Sequence, residues 1–590
     1  MQLLSMRTFI AASTVAARIV IVTGCVVRGA SPAIADDVHD LVIRNGLIID
    51  GSGAPPYAGE VAIDADRLTY VGSPTGVRGR ESIDAHGLAI APGFINMLSH
   101  SEESFFADGR ALSDLVQGIT LEVLGEFSLG PLNPEMKRLQ LERQSDVTYP
   151  VTWTTLGEYL TTLERRGIGP NVASFVGAST VRTYVLGERD VQPTARQLRA
   201  MRTLVHEAME EGALGVTTML EYVPATFART PELIALARES ARCGGIYTAH
   251  MRNESDRIEE AVRETIEIAQ ASGAPAEIYH FKLSGKDNWD KLQRVTGMID
   301  EARKEGVRVS ADMYTYAASE SGLDVAMPPW VQDGGLEAWI ARLEDPAIRR
   351  RVIADMRDPH PRDWENVYAL AGGAEGVLVL QVKSAKLKPL QGRTLADIAR
   401  ERGVSPEDVA IDLVVEDGSR VGVAYFDMSE DNLLRQVALP WMSFGSDAEG
   451  AAPQGVFLKY NPHPRAYGNF ARVLAKYVRD GRRLSVQEAV RKLAALPADN
   501  LSLEDRGHLR VGAYADVVVF DPTTIQDHAT FERPQQLSSG VSYVIVNGRI
   551  ALREGVATGA ASGHAVRGRA WTGRSGGGCR SSPQAWRWMP

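Results

Sequence analysis

The feature that most limits the fold is an alternation through the middle of the chain. Short apolar runs of strand length are separated by amphipathic stretches of helix length, the pattern of βα units and a parallel sheet. The runs are GFINMLS, GITLEVLGE, NVASFVG, GALGVTTM, GIYTAH, AEIYHF, VRVSADMY and WMSFGSD, between Gly93 and Asp447. Eight such runs are what a (β/α)8 barrel of the TIM type requires. Between Arg257 and Ser272 the helical period is clearest, with Ile258, Val262, Thr265, Ile266 and Ala269 on one face. The barrel is therefore assigned to residues 91–498. Residues 331–438 break the repeat and hold a further strand, GVAYF (Gly422–Phe426), so they are expected to form an insertion over the barrel mouth.

Strand patterns also stand at both ends. DLVIRNGLIIDGSG (Asp40–Gly53) alternates and ends in a Gly-rich turn, and EVAIDADRLTYVG (Glu60–Gly72) reads as two strands around a tight turn. ADVVVFDP (Ala515–Pro522) and VSYVIVNGRI (Val541–Ile550) lie far downstream. Neither group is enough for a stable sheet alone, which predicts one small β-sandwich built from 37–90 and 499–560 together. A chain of 590 residues has room for that domain beside a large one.

A hydrophobic content of 44% and a charged content of 23% are ordinary for a soluble globular protein. The net charge of −10 argues against nucleic acid or an anionic membrane surface as partner. Residues 1–35 read as a secretory signal: Arg7, the apolar run Ile19–Val27, then Ala33-Ile34-Ala35 before Asp36. This predicts a periplasmic or secreted protein, and VTGC ending at Cys25 resembles a lipoprotein box. No other apolar run is long enough to span a membrane. The cysteines are Cys25, Cys243 and Cys579, without a CxxC, so neither a disulfide framework nor a thiolate zinc site is expected. Cys243 reads as a buried structural thiol. Residues 564–590, rich in Gly, Arg and Ser, read as a disordered tail.

In such a barrel, chemistry sits at the C-terminal ends of the strands. GIYTAH ends at His250 and AEIYHF carries His280, one βα unit later, which places two imidazoles at the same rim. GITLEVLGE ends at Glu126 and WMSFGSD at Asp447. Zinc accepts nitrogen and carboxylate ligands and keeps a position for water in catalytic sites. Asp447 would then serve as general base. The bland alternatives are core histidines bonded to backbone and an aspartate capping a helix.

These motifs resemble the D-aminoacylase (N-acyl-D-amino-acid deacylase) branch of the amidohydrolase superfamily. The resemblance runs from Asp40 to about Gly568. It rests on DLVIRNGLIIDGSG, APGFINMLSH, QGITLEVLGE, YTAHMRNESDRIEEAVRE, IYHFKLSGKDNW, GSDAEG, HPRAYGNFARVL and DRGHLRVGAYADVVVFDP. It implies a barrel carrying a composite β-sandwich, and zinc-dependent hydrolysis of an N-acyl-D-amino acid to a carboxylate and a D-amino acid. By motif match, His250 and His280 fall on metal-binding histidines and Asp447 on the catalytic aspartate. Arg252 and Glu254 fall in a substrate-facing loop, and Lys282, Tyr314 and Arg465 on polar positions near the substrate. Arg465 or Lys282 could pair with the substrate carboxylate.

The chain departs from the family pattern at three places. Leu98-Ser99-His100 stands where the family has His-x-His, Gly125-Glu126-Phe127 where it has Gly-Asn-Cys, and Ala178 where a histidine is expected. The expectation is one zinc held by Glu126, His250 and His280, with Asp447 as base and His100 as a further ligand or a contact to water or substrate. Glu126 lies one residue from the lost cysteine, and neighbouring strand residues face opposite ways, so a turn or bulge is required there. Two alternatives stand beside this one. A cyclic-amide hydrolase of the dihydroorotase or hydantoinase type would need a lysine at the end of strands two to four, and none is present. A barrel without metal would only bind a ligand.

Overall fold

The structure, a computed structural model, describes residues 38–573 and 578–579. The signal and lipoprotein readings of 1–35 lie outside the described residues, as does Cys25.

The first five strands are β1 (Val38–Ile48), β2 (Tyr57–Asp64), β3 (Arg67–Gly72), β4 (Arg78–Asp84) and β5 (Ala89–Pro92). The barrel run follows: β6 (Phe94–Asn96), β7 (Ile119–Leu124), β8 (Asn171–Ser174), β9 (Val176–Gly177), β10 (Gly215–Met219), β11 (Ile246–His250), β12 (Ala276–Ile278) and β13 (Val309–Met313). Three strands then stand apart or return: β14 (Ser319–Gly322), β15 (Val377–Gln381) and β16 (Gly422–Tyr425), before β17 (Met442–Phe444). The chain closes with β18 (Val517–Phe520), β19 (Val541–Val546), β20 (Arg549–Arg553) and β21 (Val556–Ala557).

Strands from both chain ends form one nine-stranded sheet, β21-β20-β19-β18-β5-β1-β2-β3, with β4 also on β1. The long strand β1 pairs with β4 through its first half and with β5 through its second, and a register shift between Ile43 and Gly46 divides the two. Ile43, Val61, Ile83, Val517 and Ile545 share one apolar core, which is why neither end suffices alone. The period of two does further work in β18. Val517 and Val519 enter that core, while Val518 and Phe520 pack into the main barrel core.

The barrel strands pair in parallel from β6 through β7 and β8, and from β9 through β10, β11, β12 and β13 to β17. β8 and β9 are one run interrupted at Phe175, whose N–H donates to Leu124 O at 2.9 Å. The last strand returns to the first through Met97 N–H to Phe444 O (3.2 Å) and Asp447 N–H to Leu98 O (2.9 Å). The (β/α)8 barrel is the architecture the repeat predicted, and the strands of the two chain ends join in one β domain, as expected of the composite β-sandwich. In the helix Ile258–Ser272 the buried face is Ile258, Ala261, Val262, Thr265, Ile268, Ala269 and Ser272, so Ile268 takes the place expected for Ile266.

Three expectations need correction. The excursion opens at β14, before residue 331, and its three strands form a small antiparallel sheet of order β14-β16-β15 with its own apolar core. The start of the tail is built in: Val566 N–H donates to Val172 O (2.7 Å), Arg567 pairs with Glu164, and Ala570 is buried. Finally, Cys243 is not a free thiol but is disulfide-bonded to Cys579. A partner so far along the chain, in a segment without periodicity, gives no local signal. Among the described residues no helix is long and apolar enough to cross a membrane.

Candidate active site

The polar strand ends converge at one rim. β7 ends at Leu124, and Gly125 then adopts a φ of +118°, which turns the chain so that Glu126 points into the mouth. A Cβ on Gly125 would lie 2.5 Å from Phe175 O, so glycine is required both for the turn and for the close approach. This is the turn that the substitution of Glu126 for the neighbouring cysteine demanded. His280 and Asp447 also take left-handed conformations, at φ 35° and 50°. Such conformations are costly for these residues and are held only where the surroundings over-determine them.

Glu126 is the hub. Its Oε1 lies 3.1 Å from His250 Nδ1 and 3.8 Å from His280 Nε2, and its Oε2 lies 3.2 Å from His100 Nε2. Burial alone would raise this carboxyl, but the hydrogen bonds from His100, His250 and His280 outweigh it and hold it well below the usual range. His250 is flanked on both sides, since its Nε2 meets Glu221 Oε2 at 3.0 Å. Burial works against its charged form, yet Glu126 and Glu221 together push it up to about 10. His280 Nδ1 faces Glu254 Oε1 at 3.3 Å and Lys282 Nζ at 2.9 Å. Glu254 is held down to about 2, against its burial, by the charges of Lys282 and the two histidines.

Asp447 stands beside Glu126, with His100 Nε2 between them. Its Oδ1 accepts from His100 Nε2 at 2.9 Å and its Oδ2 lies 2.8 Å from Arg465 Nη1. Burial would raise it, but the Arg465 charge leads the groups that keep it ionised and well below the usual range. The Arg465 guanidinium sits 4.5 Å from the ring centre of Tyr314 and 3.4 Å from Glu320 Oε2. All of these groups line one cavity of about 470 Å³.

The structure thus brings together Glu126, His250, His280, His100, Asp447, Lys282, Glu254, Tyr314 and Arg465. It does not bring Arg252 with them. That guanidinium is bound to Glu264 and to the carbonyls of Thr226 and Ala228, and it lies outside the cavity. His100 is neither a surface histidine nor remote, for its Nε2 bridges Asp447 and Glu126. Leu98 is fully buried in an inner apolar cluster with Ile95, Val123 and Phe175, and Ala178 begins a helix. Sequence reasoning missed Glu221, which directly follows the run GALGVTTML and obeys the same strand-end rule as the others. It also missed Glu320, Glu365, Arg420 and Asp427, which the excursion delivers to the cavity.

The donor set fits zinc. Ligand bonds of about 2.0–2.1 Å in a tetrahedron put donor atoms about 3.3 Å apart, and the Glu126, His250 and His280 atoms are 3.1 and 3.8 Å apart. Glu221 offers an acceptor to the far nitrogen of His250, an outer partner that fixes a ligand's tautomer, while the far nitrogen of His280 lies 2.9 Å from Lys282 Nζ and 3.3 Å from Glu254 Oε1. Among the described residues Glu221 Oε1 has no hydrogen-bond partner, although it is buried. Lys282 balances Glu254, which leaves Glu126 and Glu221 as the carboxylates facing His250.

A barrel of this topology with carboxylates and imidazoles gathered at its strand ends defines a metal-dependent hydrolase in outline. The chain belongs to the amidohydrolase family, whose pattern it matches over residues 81–552. It is 32% identical to an N-acyl-D-glutamate deacylase of Alcaligenes xylosoxydans xylosoxydans over 86% of this chain and 93% of that protein. It is likewise 32% identical to a D-aminoacylase of the same organism, over 89% and 97%. Among solved structures, an N-acyl-D-glutamate deacylase from Bordetella bronchiseptica superposes with a TM-score of 0.74 at 29% identity, covering 90% of this chain and all (100%) of that one. That structure holds zinc and a phosphonate inhibitor that mimics the tetrahedral intermediate of its reaction.

Proposed function

We propose that this protein is a zinc-dependent amidohydrolase that cleaves the linear amide of an N-acyl-D-amino acid, releasing a carboxylate and a D-amino acid. The observation that carries the reading is the Glu126 carboxylate set against His250 Nδ1 and His280 Nε2, with ionised Asp447 facing it across His100. The deacylase relatives supply the substrate class. Glu126, His250 and His280 would hold one zinc, which when bound acidifies a water and polarises the amide carbonyl.

The chain's own groups do the rest. Asp447, ionised at neutral pH, takes the proton of the attacking water and delivers it to the departing amide nitrogen. His100 holds Asp447 Oδ1 toward the Glu126 side, while Arg465 holds Oδ2. Arg465 is also the group placed to bind the amino-acid carboxylate, because its planar fork suits a bidentate contact. Lys282 is committed to Glu254 and His280, so its role is to position them. A cyclic-amide hydrolase is disfavoured because none of the ends of β7 to β10 carries a lysine.

The test is product analysis with zinc-loaded protein on N-acyl-D-glutamate, N-acyl-D-leucine, their L enantiomers and a hydantoin. Release of D-amino acid alone upholds the reading. Turnover of the hydantoin alone, or of no amide, would overturn it. We also propose export to the periplasm or medium. The signal-like residues 1–35 support this, as does the Cys243–Cys579 disulfide, since such bonds persist in oxidising compartments. Cell fractionation with N-terminal sequencing tests it: an unprocessed cytosolic chain would contradict export.

A further inference from the structure

The cavity over the strand ends has a side arm. A second cavity of about 290 Å³ shares Phe127, Arg143, Tyr222, Leu336 and Arg420 with the first. The wall beyond that junction is mostly apolar, with Leu129, Leu132, Met136, Leu139, Met219 and Trp339. Phe127 stands at the junction, 41% exposed despite being apolar, and directly follows Glu126. Exposed aromatics inside a concave, largely apolar wall mark a ligand contact rather than a surface accident.

The direction of the arm decides what it would hold. In the reaction above, the departing nitrogen faces Asp447, and the amino-acid carboxylate lies on the same side, at Arg465. The arm opens away from these two groups, past Phe127 and Tyr222, and neither Asp447 nor Arg465 lines it. There Phe127 adjoins Glu126 with its ring 5.6 Å from that of His100, and the Tyr222 ring sits 5.0 Å from that of His250. With the amino-acid carboxylate at Arg465, the acyl group is the part of the substrate left to enter the arm. The cations at the junction already have partners. Arg143 pairs with Glu188 and Glu337, and Arg420 pairs with Asp324 at 2.7 Å while lying 4.9 Å from the Tyr222 ring centre. The arm therefore offers apolar surface rather than an unpaired charge.

We infer that the side arm is an acyl-chain pocket, and that the preferred substrates carry an extended apolar acyl group rather than acetyl. This rests on the amidohydrolase reading of the main site. The test compares N-acetyl, N-butanoyl and N-octanoyl derivatives of D-leucine and D-glutamate with the zinc-loaded full chain. Each added methylene that is buried favours binding, so kcat/KM is expected to rise by about tenfold or more from acetyl to octanoyl. Met136→Trp and Thr183→Trp, from two different helices, fill the arm and are expected to bring the octanoyl-to-acetyl ratio back toward one. An acetyl substrate as good as the octanoyl one, or a ratio unmoved in both variants, would overturn the pocket. If no acyl amino acid is cleaved, the amidohydrolase reading has failed separately. Calorimetry of octanoate against acetate then decides: tighter octanoate binding that both variants weaken upholds the pocket, and equal binding overturns it.

Discussion

The ends of β6 and β7 lie side by side at the barrel mouth, and both lack the metal ligands of the family pattern. At β7 the missing thiolate is answered by Glu126, which Gly125 turns into reach of two histidines. At β6 the missing histidine is Leu98, and its side chain has joined the apolar interior. At one position a carboxylate faces the two histidines, while at the other an apolar side chain packs into the core. The difference leaves the carboxylate and the two imidazoles that would hold zinc on the β7–β11–β12 side. His100, left at the β6 end, serves Asp447 and Glu126 instead.

The largest effect separates chemistry from binding. Asp447→Asn keeps the shape but removes the proton acceptor, and kcat is expected to fall by about a thousandfold. Zinc content should be unchanged, by mass spectrometry of the desalted protein; loss of zinc would make Asp447 a ligand instead. Next comes the outer partner of His250. Glu221→Gln should weaken zinc binding by about 10–100-fold, read by chelator competition. An unchanged affinity would leave Glu221 outside the metal's support.

The third prediction concerns protons. In the metal-free protein, His250 is held protonated up to about 10 by Glu126 and Glu221, whereas a zinc ligand must be neutral. Loading zinc near neutral pH should therefore release a proton from His250. The apparent affinity should rise about tenfold per pH unit and level off as pH passes the raised value. Calorimetry in two buffers of different ionisation enthalpy counts the protons, and a count of zero would contradict the assignment. The smallest effect sharpens the comparison directly. Leu98→His should cost about 1–3 kcal/mol of stability for placing an imidazole in the apolar cluster, measured by denaturant unfolding. It should also let a second equivalent of metal bind at the β6 end.

Much of this was legible in the sequence for physical reasons. Eight apolar runs separated by amphipathic helices leave few other folds, and strand ends carrying His250, His280, Glu126 and Asp447 mark one rim. Glu126 required a turn, and the glycine before it was the visible means. Other features were not legible. Glu221 stands at a strand end between Leu220 and Tyr222, but its place beside His250 shows only when β10 and β11 are paired. Arg420 and Glu365 belong to an excursion whose placement over the mouth depends on tertiary packing. Arg252 lies two residues from His250 yet faces Glu264, because a turn after β11 sends the two side chains apart. Cys579 sits in a Gly- and Arg-rich segment with no periodicity, and only the folded chain brings it to Cys243.

The central claim is that a single zinc site has been rebuilt on Glu126. The most direct measurement is the metal content of the purified, desalted protein beside its Glu126→Ala variant, by mass spectrometry. The account predicts about one zinc per chain in the parent and loss of most of it in the variant. A parent that takes up no zinc even when it is added, or a variant that keeps its full complement, would contradict it.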